Sequence, residues 1–227
     1  MVRPLTPILC GALLLGLAAP ALAGAPALPA EPSTRGLYLQ LIDQARADGR
    51  PRAALAYLDD FDRQYPADPA ARFLRINSLL DLGDVDKAEA AAATLPASND
   101  GRLSQVLGHL RVARGRWDEA VPFYQQAIRA NPADAMLRNA LGYAQLRAGH
   151  YAPAIETLRG AVDLAPGEAV IRNNLALALT VDGHLPQALE LLRAVREPQA
   201  NARLSSQLVA EAARIEALAG KPARKGG

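Results

Sequence analysis

Residues 107–132 read LGHLRVARGRWDEAVPFYQQAIRANP, and residues 141–166 read LGYAQLRAGHYAPAIETLRGAVDLAP. Laid over one another, Leu107-Gly108, Gly115, Trp117, Ala120, Tyr124, Ala127 and Pro132 fall on Leu141-Gly142, Gly149, Tyr151, Ala154, Leu158, Ala161 and Pro166, each displaced by 34 residues. The small residues Gly108 and Ala120 sit one on each of two helices, which lets the backbones approach to the short end of the usual interaxial range of about 8–10 Å. Gly115 and Gly149 follow the first helix, where a residue of left-handed conformation ends it at least cost. Pro132 and Pro166 stop the second helix, because proline lacks the donor and disfavours a helical residue before it. One such hairpin cannot bury its apolar face alone, so the unit requires neighbours.

This period and this set of Leu-Gly, Ala, aromatic, Ala and Pro positions resemble the tetratricopeptide repeat (TPR), a helix-turn-helix unit of the same length. Working outward, Gly49, Gly83, Gly115, Gly149 and Gly183 mark the turns, and Ala54, Ala88, Ala120, Ala154 and Ala188 each follow five residues later. The expected repeats are 35–68, 69–100, 101–134, 135–168 and 169–202. In the first, Ile42 takes the place of Gly108 and should hold its helices further apart. In the second, Leu95-Pro96 should cut the second helix to about Val85–Thr94 and leave an irregular Ala97-Ser98-Asn99 link. The fifth has Ala200 where the stop proline would stand, with Pro198 coming early. Leu204, Leu208, Ala212, Ile215 and Leu218 then recur at helical spacing and predict a capping helix over 203–219. The fold expected is all-α: a right-handed α-solenoid of five TPR hairpins plus a C-terminal capping helix.

Composition agrees. Of 227 residues, 50% are hydrophobic and 4% aromatic, and an Ala- and Leu-rich chain poor in strand formers is helical. Lys and Arg number 25 against 23 Asp and Glu, so the net charge of +2 gives no field that points to nucleic acid or acidic lipid.

Residues 1–23 read as a secretory signal peptide: Arg3, the apolar run Ile8–Ala19, then Ala21-Leu22-Ala23 at a cleavage site. The alternative is an uncleaved anchor, but the run is shorter than the roughly 20 residues a spanning helix needs and is interrupted by Gly16 and Pro20. After cleavage no stable membrane insertion is expected. Cys10, the sole cysteine, precedes most of the apolar run, whereas a lipid-modified Cys would follow it. Residues 24–34 read as a disordered Pro- and Ala-rich leader and 220–227 as a disordered basic tail.

No catalytic set, cofactor motif or metal site emerges. His109, His150 and His184 lie far apart along a solenoid, and there is no glycine-rich phosphate loop, Gly-x-Ser-x-Gly or His-x-x-x-His. The carboxylates of Asp59-Asp60-Phe61-Asp62 point in different directions on a helix and read as a solvated face. Arg111, Arg114 and Arg116 read as cations complementing a helix C-terminus. The TPR resemblance implies a concave groove lined by the first helices, and places Asp43, Asn77, His109 and Tyr143 at one groove position, Asn139 and Asn173 at another, and Arg102, Gln105 and Asn174 beside them. Amides carry donors and acceptors, so such a ladder suits the backbone of an extended peptide without demanding a charge. The alternative is that these Asn residues are ordinary repeat consensus. The paired cations of carboxylate-clamp TPRs are missing, since Leu39, Asp43, Ala70 and Leu74 occupy the early groove.

The function expected is a non-enzymatic adaptor exported across the inner membrane, periplasmic in a bacterial envelope, with a protein or extended peptide as partner. The phrase Ile171-Arg172-Asn173-Asn174-Leu175-Ala176-Leu177-Ala178-Leu179 resembles the TPR component of Tad (Flp) pilus assembly systems, which implies a role in assembling a pilus machine. The alternative role is a regulatory or carrier subunit of an envelope polysaccharide or cell-wall synthesis complex.

Overall fold

The computed structural model describes residues 33–96, 101–193 and 198–219. The expected signal peptide at 1–23, the expected leader up to residue 32, the Ala97-Ser98-Asn99 link and the expected tail at 220–227 lie outside the described residues. Among the described residues the chain forms eleven helices and no strand. They pair as α1 (Thr34–Ala47) with α2 (Pro51–Gln64), α3 (Pro69–Asp81) with α4 (Val85–Ala92), α5 (Gly101–Ala113) with α6 (Trp117–Ala130), α7 (Ala135–Arg147) with α8 (Tyr151–Leu164), and α9 (Ala169–Val181) with α10 (Leu185–Arg193), followed by α11 (Pro198–Ala219).

Every first helix ends in the same way. Gly49, Gly83, Gly115, Gly149 and Gly183 have φ between 69° and 87°. In each case the glycine N–H and the next residue's N–H turn back onto carbonyls of the last turn, as in Gly83 N to Leu80 O and Asp84 N to Leu79 O, both 2.9 Å. This is the Schellman closure, and it needs a left-handed residue. At the other end, Asp68, Asp84 and Asp134 cap α3, α4 and α7 through their carboxylates.

In the last four hairpins a residue of the first helix is matched by one 16 positions later on the second, and the sizes trade off; the first hairpin instead buries two large side chains, Ile42 and Leu58. Ile76 is matched with Ala92, Gly108 with Tyr124, Gly142 with Leu158 and Ala176 with Leu192, and all of the side chains among these are buried. A Cβ on Gly142 would stand 2.5 Å from Leu158 Cγ, and one on Gly108 2.7 Å from Tyr124 Cε1. The glycines therefore make room for a large side chain from the partner helix.

First helices touch their neighbours directly, α1 with α3, α3 with α5 and α7 with α9, while the second helices do not form a comparable row. The first helices therefore line the concave side. α5 and α7 are the neighbours set further apart. Tyr124 reaches past Gly108 toward that gap.

Several boundaries differ from expectation. α1 starts at Thr34 rather than after the leader, because the Ser33 hydroxyl accepts from Gly36 N at 3.1 Å and caps it. α4 ends at Ala92, short of Thr94, since Thr94 N and Leu95 N fold back in tight turns onto Ala91 O and Ala92 O ahead of Pro96. The last helix begins at Pro198, five residues before 203. Pro198 is not a stop for the fifth repeat but the first residue of α11, where its missing N–H is an orphan in any case. α11 packs on α9 and α10, burying Leu208 with Leu204 beside it. No described helix is long and apolar enough to cross a membrane.

Candidate binding groove

The concave side carries two clefts. The first, formed by α1, α3 and α5, is floored by Leu39, Phe73, Leu74 and Val106 and edged by Asp43, Arg46, Asn77, Arg102 and Gln105. Its charges are compensated locally: Arg46 pairs with Asp43 at 3.1 Å and Asp81 at 2.9 Å, and the Arg102 guanidinium lies over the Phe73 ring at 5.3 Å. The second cleft sits where α5 and α7 separate, with His109, Val112, Tyr124, Asn139, Ala140, Tyr143, Val170 and Asn174 around it. Met136, one repeat before Val170 at the same position, is 50% exposed, and Val170 is 44% exposed.

The expected groove residues thus divide. Asn77, Arg102 and Gln105 belong to the first cleft, and His109, Asn139, Tyr143 and Asn174 to the second. Asn173 is exposed on α9 and lines neither. Repeat packing itself uses several of these side chains. Asn139 is only 8% exposed, and Asn174 Nδ2 donates to its Oδ1 at 2.8 Å across the repeat boundary. His109 Nδ1 lies 3.4 Å from Asn77 Oδ1, again between repeats. The Tyr143 hydroxyl accepts from Arg147 at 3.0 Å, and the Arg147 guanidinium lies 4.5 Å from the Trp117 ring centroid. Polar groups on a half-buried inner face must find partners, and the next repeat is the nearest source.

His109 also packs against Tyr124, ring centroids 5.6 Å apart. Burial pushes its imidazole down to about 4, with the nearby Arg46 charge acting in the same sense, so it is neutral at pH 7. Burial pushes the Tyr124 phenol up.

Phe73, Tyr124, Met136 and Val170 were not among the expected groove residues. Phe73 occupies the repeat position of Leu39, Asn139 and Asn173, so the register applied to every repeat would have found it. Tyr124 entered only as the aromatic position of the repeat, and nothing in the sequence shows that α5 and α7 spread to open a cleft beside it.

The charged runs have specific partners. Arg75 joins Asp59 at 2.8 Å and Asp62 at 2.9 Å, and Asp60 holds Tyr38 and Arg63, so this acidic run binds cations of its own and the next repeat rather than water alone. Arg114 bridges Asp86 and Glu89, and Arg111 meets Glu119 at 3.2 Å. Their ion pairs, rather than the helix terminus by itself, account for them. His150 pairs with Asp118 at 2.7 Å and His184 with Asp182 at 3.3 Å. No group of three or more His, Cys, Asp or Glu is set to hold a metal ion among the described residues.

Tetratricopeptide-repeat family models match residues 45–110 and 106–169. No curated protein sequence matches. Among solved structures, TTC0263, a thermophilic TPR protein of Thermus thermophilus, is 25% identical and superposes with a TM-score of 0.67 over 77% of this chain and 99% of its own. YrrB, described as a TPR protein with an unusual peptide-binding site, is 19% identical with a TM-score of 0.52 over 75% of this chain and 89% of its own. MamA of Desulfovibrio magneticus RS-1 is 21% identical with a TM-score of 0.52, covering 82% of this chain and 97% of that one. With models of one description running from residue 45 to residue 169, more than half its length, and five stacked helical hairpins, the chain belongs to the tetratricopeptide-repeat proteins, which are in general scaffolds for protein–protein interaction.

Proposed function

We infer that this protein is a non-catalytic adaptor whose concave face holds an extended segment of a partner protein. The observation that carries the reading is the pair of clefts on the first-helix row, each combining exposed apolar surface with hydrogen-bonding side chains and no uncompensated charge. Extended chain suits such a face, since its backbone groups meet amides while alternate side chains enter apolar hollows. That YrrB has a peptide-binding site supports the choice of a peptide as ligand class.

With residues 1–23 acting as a secretory signal, the adaptor works in the envelope. Its mature N-terminus should then lie near Gly24; a retained Met1, or diacylglycerol on Cys10, in the intact mass refutes this. The resemblance of residues 171–179 to the Tad (Flp) assembly component makes a pilus-machine protein the first partner to look for.

The groove is tested by capture from envelope extract on the immobilised protein. Met136→Asp with Val170→Asp on the concave side should abolish capture of a partner that Gln125→Ala with Arg129→Ala, on exposed positions of α6, leaves bound. Melting temperatures should stay close to wild type for both pairs, since exposed substitutions usually fall within about 0.5 kcal/mol. Loss of the partner with the α6 pair and retention with the concave pair would place the interface elsewhere.

A further inference from the structure

The cleft between α5 and α7 contains hydrogen-bonding atoms that the fold leaves unused. The Tyr124 side chain is 2% exposed, and its hydroxyl, which has no hydrogen-bond partner among the described residues, is not among the buried unpartnered atoms and so opens to the cleft. Asn139, 8% exposed, spends its Oδ1 on Asn174 Nδ2, which leaves Asn139 Nδ2 as a spare donor and Asn174 Oδ1 as a spare acceptor. The fourth atom follows from tautomerism. Asn77 Oδ1 can only accept, so His109 Nδ1 carries the proton, and a neutral imidazole then presents Nε2 as a bare lone pair. None of the four is among the buried polar atoms left without a partner, which are Gln145 Oε1 and Arg172 Nε among the described residues, so all four open to the cleft, where a ligand can reach them.

Two donors and two acceptors, all uncharged, are the complement of one chemical group. A primary carboxamide has an oxygen that accepts twice and an NH2 that donates twice. A carboxylate would satisfy Tyr124 and Asn139 but face the lone pairs of His109 Nε2 and Asn174 Oδ1 with no proton to offer. An apolar side chain would desolvate all four and pair none. Val112, Ala140 and Val170 supply the apolar walls that the aliphatic stem of a longer amide side chain would need. We propose that this cleft is a carboxamide pocket, which reads a glutamine or asparagine side chain on the partner segment through Tyr124, Asn139, His109 and Asn174. The inference rests on the concave groove being the binding face and adds which residue of the ligand it selects.

The experiment uses the full chain, isotopically labelled for NMR, titrated with three blocked amino acids of one backbone: N-acetylglutamine, N-acetylglutamate and N-acetylmethionine N-methylamides. The glutamine probe should shift the side-chain amides of Asn139 and Asn174 and the ring of His109 saturably at millimolar concentration. The glutamate and methionine probes should bind at least about fivefold more weakly. Tyr124→Phe keeps the ring beside Gly108 and removes only the hydroxyl. It should weaken the glutamine probe about tenfold, erase its advantage over methionine, and leave the melting temperature unchanged. Equal shifts from all three probes would overturn the carboxamide pocket while leaving the groove standing, because what they share is the peptide backbone. Absence of any shift with the glutamine probe also overturns it. The groove reading fails separately, through the Met136 and Val170 capture result.

Discussion

Gly142 and Gly160 lie on consecutive helices, and the same substitution should act on them in opposite directions. A Cβ at Gly142 would stand 2.5 Å from Leu158 Cγ, 2.9 Å from Leu158 Cδ2 and 3.4 Å from Ala154 O. Carbon atoms in contact prefer about 3.5–4.0 Å, so the new methyl intrudes by about 1 Å. Leu158 is fully buried and has no space to turn into, and Ala154 O is backbone, so the hairpin itself must open. Overpacking of this kind costs about 1–3 kcal/mol, against a gain of about 1 kcal/mol from replacing a mid-helix glycine by alanine. At Gly160 the nearest atom to a Cβ is Arg138 Nη1 at 3.9 Å, so only the gain applies. The propensity gain is common to both variants and cancels in their difference. Gly160→Ala should therefore melt above Gly142→Ala by about 2 kcal/mol, or about 6 °C for a domain of this size. Circular dichroism melts, with urea titrations of the purified protein as a second reading, measure it. Gly142→Ala melting level with or above Gly160→Ala would refute the close approach of α7 and α8. Gly108→Ala provides a graded case. Its new methyl meets the Tyr124 ring at 2.7 Å, but that ring borders an open cleft and can tilt, so the loss should be smaller than at Gly142.

Two further predictions concern pH and backbone strain. The His109 imidazole falls to about 4 in the fold, against about 6.5 when the chain is unfolded, so between these values the unfolded state binds a proton that the folded state refuses. Its contribution is complete above pH 6.5 and declines as pH drops to 4, by up to about 3 kcal/mol. His109→Gln should remove that part of the slope in urea titrations across pH 4–7, and an unchanged slope would show that His109 is not desolvated. Ala67 holds φ at 63°, a conformation in which a Cβ costs about 1–2 kcal/mol. Ala67→Gly should raise the melting temperature despite the extra freedom glycine gives the unfolded chain; a lower one would mean the entropy term prevails.

How much was legible in the sequence depended on whether a residue's partner was fixed by the period. The turn glycines, the small alanines and the stop prolines act within one hairpin, so their spacing alone carried the architecture. The close-contact position was legible too, but its partner was not. The sequence suggested Gly108 against Ala120, whereas the large residue that fills the space left by Gly108 is Tyr124, and the same exchange of volume recurs as Gly142 with Leu158. Pro198 was read against a period that had already lapsed, when proline's preference for a helix start decided the matter. The acidic run at 59–62 looked solvated because its main cation, Arg75, stands on the next repeat, where no local spacing rule applies.

The groove residues show the same division more sharply. Position in the repeat tells which side chains face the inner row, and it put His109, Asn139, Tyr143 and Asn174 on the groove face, where the structure gathers them around one cleft. It does not tell which of their atoms the neighbouring repeat consumes. Asn139 and Asn173 are equivalent in the period, yet one is buried in a cross-repeat amide pair and the other is exposed. The difference arises because Asn139 has a following repeat that supplies Asn174 as a donor, while Asn173 is followed by the single helix α11. A concave face built from identical repeats would offer a uniform ladder of amides and little discrimination among extended segments. Here the departures from uniformity, Gly108 admitting Tyr124 and α5 standing off from α7, concentrate unused donors and acceptors at one point of the row. Selectivity in such a solenoid therefore lies where the repeat breaks its own pattern, and in this chain the best place to look for it is the cleft beside Tyr124.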